Sequence, residues 1–144
     1  MKPKEFIARL DDAKVMAAIA DAERKSSGEI RVYVANTKVA EALAAADAQF
    51  VKLGMNKTRE RNGVLLYFAP VSQQFAVVGD KCIHEQCGQD FWQEIAAEIS
   101  QHLKAGEFTE AVIDAVNKIG AVLAKHFPRS PDDRNELPNQ VARD

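Results

Sequence analysis

The sequence predicts an α/β protein, a three-layer α/β/α sandwich around a small mixed sheet of three to four strands. Three observations carry this. Val64 to Ala69 is apolar at every position between Asn62-Gly63 and Pro70, as in a strand covered on both faces. A second β-rich run, Gln74 to Gly79, follows after so short a link that the two form an antiparallel hairpin. Helical patterns lie before, between and after the strands, enough to cover both faces of a sheet. The hairpin stands mid-chain and is expected at the sheet's centre.

Each element has its own signal. Phe6, Ile7 and Leu10 recur at helical spacing, and Val15, Ile19 and Ala22 do so again. Asp11 or Asp12 can cap the second stretch, so the opening is either one kinked helix or two short ones. Gly28 suits the stop. Glu29 to Ala35 then alternates, with Ile30, Val32 and Val34 on one side and Glu29, Arg31 and Tyr33 on the other, the period of a strand. Val39, Leu43, Ala46, Phe50 and Leu53 form one stripe of an amphipathic helix, closed by Gly54. Strand, helix and buried strand make a right-handed βαβ unit with parallel strands.

After Asp80 an irregular stretch is expected, then a helix over about 89–104 with Phe91, Trp92, Ile95, Ile99 and Leu103 inward. A last helix over about 107–126 buries Phe108, Val112, Val116, Ile119 and Leu123, and Pro128 ends it. Residues 1–127 read as a single domain. Residues 128–144, with three prolines and many charges, read as an acidic, extended C-terminal arm rather than an element.

Composition narrows the function classes. The 144 residues are 47% hydrophobic and 28% charged, enough apolar matter for a core. A net charge of −2 implies no basic surface, which argues against nucleic acid as the main partner. No apolar stretch reaches the roughly 18 residues of a membrane span. No apolar run backs the charges of Met1 to Glu5 as a signal peptide would require. A cytoplasmic location is expected, with Cys82 and Cys87 as reduced thiols.

The topology makes a geometric forecast. Strands starting at Glu29 and Val64 run parallel and begin at one edge, and the hairpin's return strand ends there. Glu29, Asn62 and Asp80 therefore gather at one rim. Hard oxygen donors on loops suit Ca²⁺ or Mg²⁺. The plain alternative is that Asp80 caps the next turn while Glu29 pairs with a lysine. The tail adds Asp132, Asp133, Asn135 and Glu136, and Leu137 beside them could anchor the arm. The twelve-residue loop of an EF-hand is missing. His84, His102 and His126 lack zinc spacing, and no nucleophile motif, phosphate loop or Walker motif occurs.

Taken in order, the segments resemble a known family. Ser27-Gly28-Glu29-Ile30-Arg31-Val32 is similar to the opening of the TPM domain. So are Leu53-Gly54-Met55 with Thr58, Arg61-Asn62-Gly63-Val64-Leu65, Phe75-Ala76-Val77-Val78-Gly79-Asp80, and Phe91-Trp92. His126-Phe127-Pro128 with Asp133 and Asn135-Glu136-Leu137-Pro138 resembles the tail of small stand-alone members. The family includes a thylakoid-lumen acid phosphatase-like protein linked to photosystem II repair and many membrane-anchored bacterial proteins. The resemblance implies an α/β/α sandwich, divalent-cation binding at loops on one rim, and a phosphatase activity. It assigns Asp80 to the family's Gly-Asp motif, and Asp133, Asn135 and Glu136 to the acidic tail. Two departures stand out: no signal peptide or membrane anchor is visible, and Cys82 stands where a glycine is common. Two functions follow. One is a non-catalytic metal-binding module in which the ion cross-links the Asp80 loop to the tail. The other is a metal-assisted phosphomonoesterase, for which Arg59, Arg61 and Lys81 would supply charge although no nucleophile is evident.

Overall fold

Asp11 starts the first long helix by accepting a hydrogen bond from Lys14 N at 3.1 Å, the capping role its position foretells. The opening is therefore two helices, α1 (Pro3–Arg9) and α2 (Asp12–Arg24). There follow β1 (Glu29–Val34), α3 (Ala42–Lys52), β2 (Gly63–Ala69), β3 (Gln74–Gly79), α4 (Lys81–Lys104), α5 (Phe108–His126) and β4 (Ala142–Arg143). The computed structural model describes residues 3–129 and 141–143.

The sheet is mixed, in the order β3-β2-β1-β4. β1 and β2 are parallel, with Glu29 beside Gly63, and β2 and β3 are antiparallel, with Val64 beside Gly79. The alternation read from β1 holds. Ile30, Val32 and Val34 join Val64, Leu66 and Phe68 in a core covered by α1, α2, α4 and α5. Tyr33 joins Leu65, Tyr67 and Ala76 on the opposite face under α3. Two covered faces give the α/β/α sandwich.

Four expectations change in detail. The hairpin is not wholly central: every residue of β2 is buried, whereas β3 is an edge strand and mostly half-buried. The helix expected from Val39 begins at Ala42 and is rotated, so Ala42, Ala46 and Phe50 face the sheet and Leu43 stays 52% exposed. The cause is a tether. Ser72 Oγ accepts from Val39 N at 2.9 Å and Gln74 Oε1 from Ala42 N at 2.7 Å, which holds residues 39–41 against the hairpin turn. Small alanines then let the helix sit close to β3.

The stretch after Asp80 is helical rather than irregular. Gly88, at φ 76°, breaks α4 into a short first part and a long second part. The first part buries only Ile83, too little to show a period. The arm is not wholly without structure either: β4 pairs parallel with Tyr33 and Val34 of β1, and Arg143 Nη2 donates to Asp12 Oδ1 at 2.8 Å. Two residues are too short to carry a strand pattern in sequence. No helix among the described residues is long and apolar enough to cross a membrane.

Candidate functional site

The strand register brings the forecast rim together. Gly63 lies beside Glu29, which places Asn62 next to the start of β1. Because Val64 lies beside Gly79, Asp80 leaves β3 at the same edge, and Asp80 N donates to Gly63 O at 2.9 Å. Glu29, Asn62 and Asp80 are all buried. Asp133, Asn135 and Glu136, with Leu137, lie outside the described residues.

Asp80 is fully engaged. Arg61 Nε donates to its Oδ2 at 2.7 Å and Nη2 to its Oδ1 at 2.9 Å, the two-pronged grip that guanidinium geometry favours. Lys81 N donates to Oδ1 at 2.8 Å, so Asp80 also caps α4. The carboxylate's bonds hold the Arg61 guanidinium above its ordinary pKa. Arg61 takes the left-handed backbone conformation, φ 52°, and its carbonyl accepts from Cys82 N at 3.0 Å. Arg61 thus holds the start of α4 twice, by side chain and by backbone. The capping role weighed for Asp80 is the one its hydrogen bonds display.

Asn62 behaves differently. Its Nδ2 donates to Ser27 Oγ at 3.1 Å, and Ser27 Oγ donates in turn to Glu60 Oε2 at 2.6 Å. Its Oδ1 is buried and receives no hydrogen bond among the described residues. Glu29 has a second carboxyl beside it, that of Glu23. Glu23 is 5% exposed at the end of α2, and its Oε2 accepts from Ile30 N at 2.9 Å. Burial pushes the Glu23 carboxyl up to about 9, with repulsion from Glu29 adding to it; the Ile30 N–H and the Arg129 charge pull the other way. Burial and the neighbouring carboxyl thus favour the protonated form of Glu23. Its other oxygen, Oε1, is buried and receives no donor among the described residues, while a side-chain hydrogen bond links Glu23 to the Glu29 carboxyl.

Sequence reading missed Glu23, yet a signal existed. It lies four residues after Ile19 and eight after Val15, on the apolar stripe of α2, where a carboxyl is out of place. Arg31, buried on the Glu29 side of β1, was seen only as part of the alternation. Burial lowers its pKa and the Glu23 charge opposes that.

The histidines stand elsewhere. His84 stacks on Trp92, with ring centroids 6.5 Å apart, and His102 lies between the Glu107 and Asp114 carboxylates. Cys82 and Cys87 are free thiols, and burial raises the pKa of Cys87. Among the described residues, no three His, Cys, Asp or Glu side chains converge as a metal-binding group. The oxygens on offer at the rim belong to two carboxyls, Glu23 and Glu29, an amide, Asn62, and the occupied Asp80. All are hard donors of the kind Ca²⁺ and Mg²⁺ take.

A family model for the TPM domain matches residues 1–122. The chain belongs to the TPM domain family. The BA42 protein from the psychrophilic bacterium Bizionia argentinensis, solved by NMR, has a similar structure, with a TM-score of 0.85 and 37% sequence identity over 92% of each chain. The N-terminal domain of a P. gingivalis protein, also solved by NMR, shares the fold with a TM-score of 0.64. It is 15% identical over 84% of this chain and 82% of that one. No curated protein matches the chain.

Proposed function

We propose that this TPM domain is a non-catalytic module that binds a divalent cation, Ca²⁺ or Mg²⁺, at the rim formed by Glu29, Asn62 and Asp80. Glu23 joins these as a fourth protein donor. The observation that carries the reading is a buried oxygen with no donor: Asn62 Oδ1 is out of water and, among the described residues, accepts no hydrogen bond. Buried acceptors left in this way cost free energy that a cation would recover. A carboxyl that keeps its proton beside another carboxyl offers a second argument, since a metal ion can replace that proton. The tail oxygen donors Asp133, Asn135 and Glu136 complete the proposed set. Arg129, four residues before Asp133, donates to Glu23 O at 2.7 Å, so the chain leading to those donors leaves from this rim.

The ion would neutralise the Glu23–Glu29 pair and could draw Asp80 from Arg61. Thermal unfolding with added Ca²⁺ or Mg²⁺, and then with chelator, tests this. Binding to the folded state alone adds about 2.7 kcal/mol at 100-fold excess over the dissociation constant. The rise should be larger at alkaline pH, where the proton competes less, and should shrink in Asn62→Ala and in Asp80→Asn. Melting that is indifferent to both ions and to chelator would reject the site. Saturable aryl phosphate hydrolysis abolished by Asp80→Asn would instead establish the metal-assisted phosphatase.

A further inference from the structure

A second feature lies away from the rim, along the free edge of β3. Asp80 N bonds Gly63 O, so Gly63 and Asp80 form a hydrogen-bonded pair of the antiparallel ladder. Pairs alternate along such a ladder. Phe75, Val77 and Gly79 therefore direct their N–H and C=O groups away from β2, and among the described residues no group meets them. β3 is also undefended as edges go. It carries no charge, no proline and no bulge across Gln74–Gly79.

The edge lies in a groove of about 470 Å³ between α3 and α4. Leu43 and Asp47 form one wall, and His84, Trp92 and Gln93 the other. Leu43 and Val51, 52% and 57% exposed, continue the apolar wall along α3, with Asp47 one turn from each. Trp92 packs against the backbone of Gly79, and its buried indole N–H has no acceptor among the described residues.

We propose that this groove binds an extended, apolar peptide segment of a partner protein, which adds to the sheet as a strand beside β3. The unmatched backbone groups call for an occupant with strand-forming backbone of its own. The apolar walls call for apolar side chains, and Asp47, the groove's one carboxylate, calls for a single basic residue beside it. The chain's own tail is poorly placed for this role, because Arg129 and Val141, which flank residues 130–140, both lie on the β1 side of the molecule. A second copy is a poor match as well. Antiparallel pairing of β3 with its own copy about a twofold axis sets α3 against α3 and opposes the two Asp47 charges.

The sole tryptophan, Trp92, reports on the groove. The probe is a set of synthetic peptides of alternating Val and Thr carrying one Lys at successive positions, titrated against the full chain and followed by tryptophan fluorescence. Each peptide has a counterpart N-methylated at alternate residues, which keeps its side chains but removes donors. The expected result is a saturable change in emission with one preferred Lys position. N-methylation should weaken binding roughly tenfold or more, from the loss of two to three backbone hydrogen bonds. Asp47→Lys, an exposed change, should reverse the preference from Lys to Glu peptides. Val77→Pro, which removes an outward N–H, should abolish binding while melting shows the fold retained. Equal binding of methylated and unmethylated peptides, or no response to any peptide, would overturn the proposal. So would a dimer in solution that Val77→Pro splits into monomers, since the edge would then belong to a second copy.

Discussion

Glu23→Gln tests the buried carboxyl directly. The Glu23 carboxyl ordinarily titrates at 4.5 and is raised to about 9 in the folded chain. In the unfolded chain it ionises near its ordinary value. Between those limits the unfolded state has released a proton that the folded state keeps, so stability falls as pH rises. The contribution of the neutral carboxyl is fully present below about pH 4.5 and lost as pH climbs towards about 9. Each unit is worth somewhat over 1 kcal/mol, so wild type should lose roughly 3 kcal/mol between about pH 5.5 and pH 7.5 from this group alone. Gln has nearly the same shape and cannot ionise, so its variant should lack that slope. It should be the more stable form at about pH 8. The assay is urea unfolding of both proteins across this range, with chelator present throughout. Parallel curves, differing in slope by less than about 0.5 kcal/mol per pH unit, would show that Glu23 is ionised in the folded state and that the reading of the pair is wrong.

Two further outcomes are expected. Gly79→Ala places a Cβ at 2.7 Å from Trp92 Cζ2, so it should destabilise by about 1–3 kcal/mol and shift the tryptophan emission; an unchanged melting temperature would show that the indole moves aside freely. Asp80→Ala removes the cap of α4 and should cost about 1 kcal/mol from the cap alone, with hydrogen exchange speeding up first at residues 81–87; uniform exchange would argue against a local capping role.

The fold was legible where burial imposes a long period. Val112, Val116, Ile119 and Leu123 recur over about three turns of α5, and the alternation in β1 matches the two faces of the sheet. Signals failed where a tertiary tether overrides the pattern. Leu43 belongs to a good stripe by spacing, but side chains of Ser72 and Gln74 fix where α3 begins and rotate it outwards. Two-residue β4 and the first part of α4 are too short to show any period. The rim followed from strand direction alone, because parallel strands must start at one edge. Its electrostatics did not: whether Asp80 meets Arg61 depends on one left-handed residue, and Glu23 becomes an acid beside Glu29 only once α2 folds onto β1.

The packing of α1 and α2 on α5 has a consequence for synthesis. Phe6 packs against Phe108 with tilted rings 5.6 Å apart, Asp11 N donates to Thr109 Oγ1, and Thr109 Oγ1 donates back to Arg9 O, links that span about a hundred residues of sequence. Ala22 lies so close to Gly120 that a Cβ there would stand 2.7 Å away. On a ribosome adding residues from the N-terminus, the first two helices therefore lack the α5 part of their seat until α5 has left the exit tunnel. Until then the parts of their apolar faces that α5 covers stay in water. Such long-range closure is the slow kind, and it makes the nascent chain a natural client for chaperones until its final helix arrives.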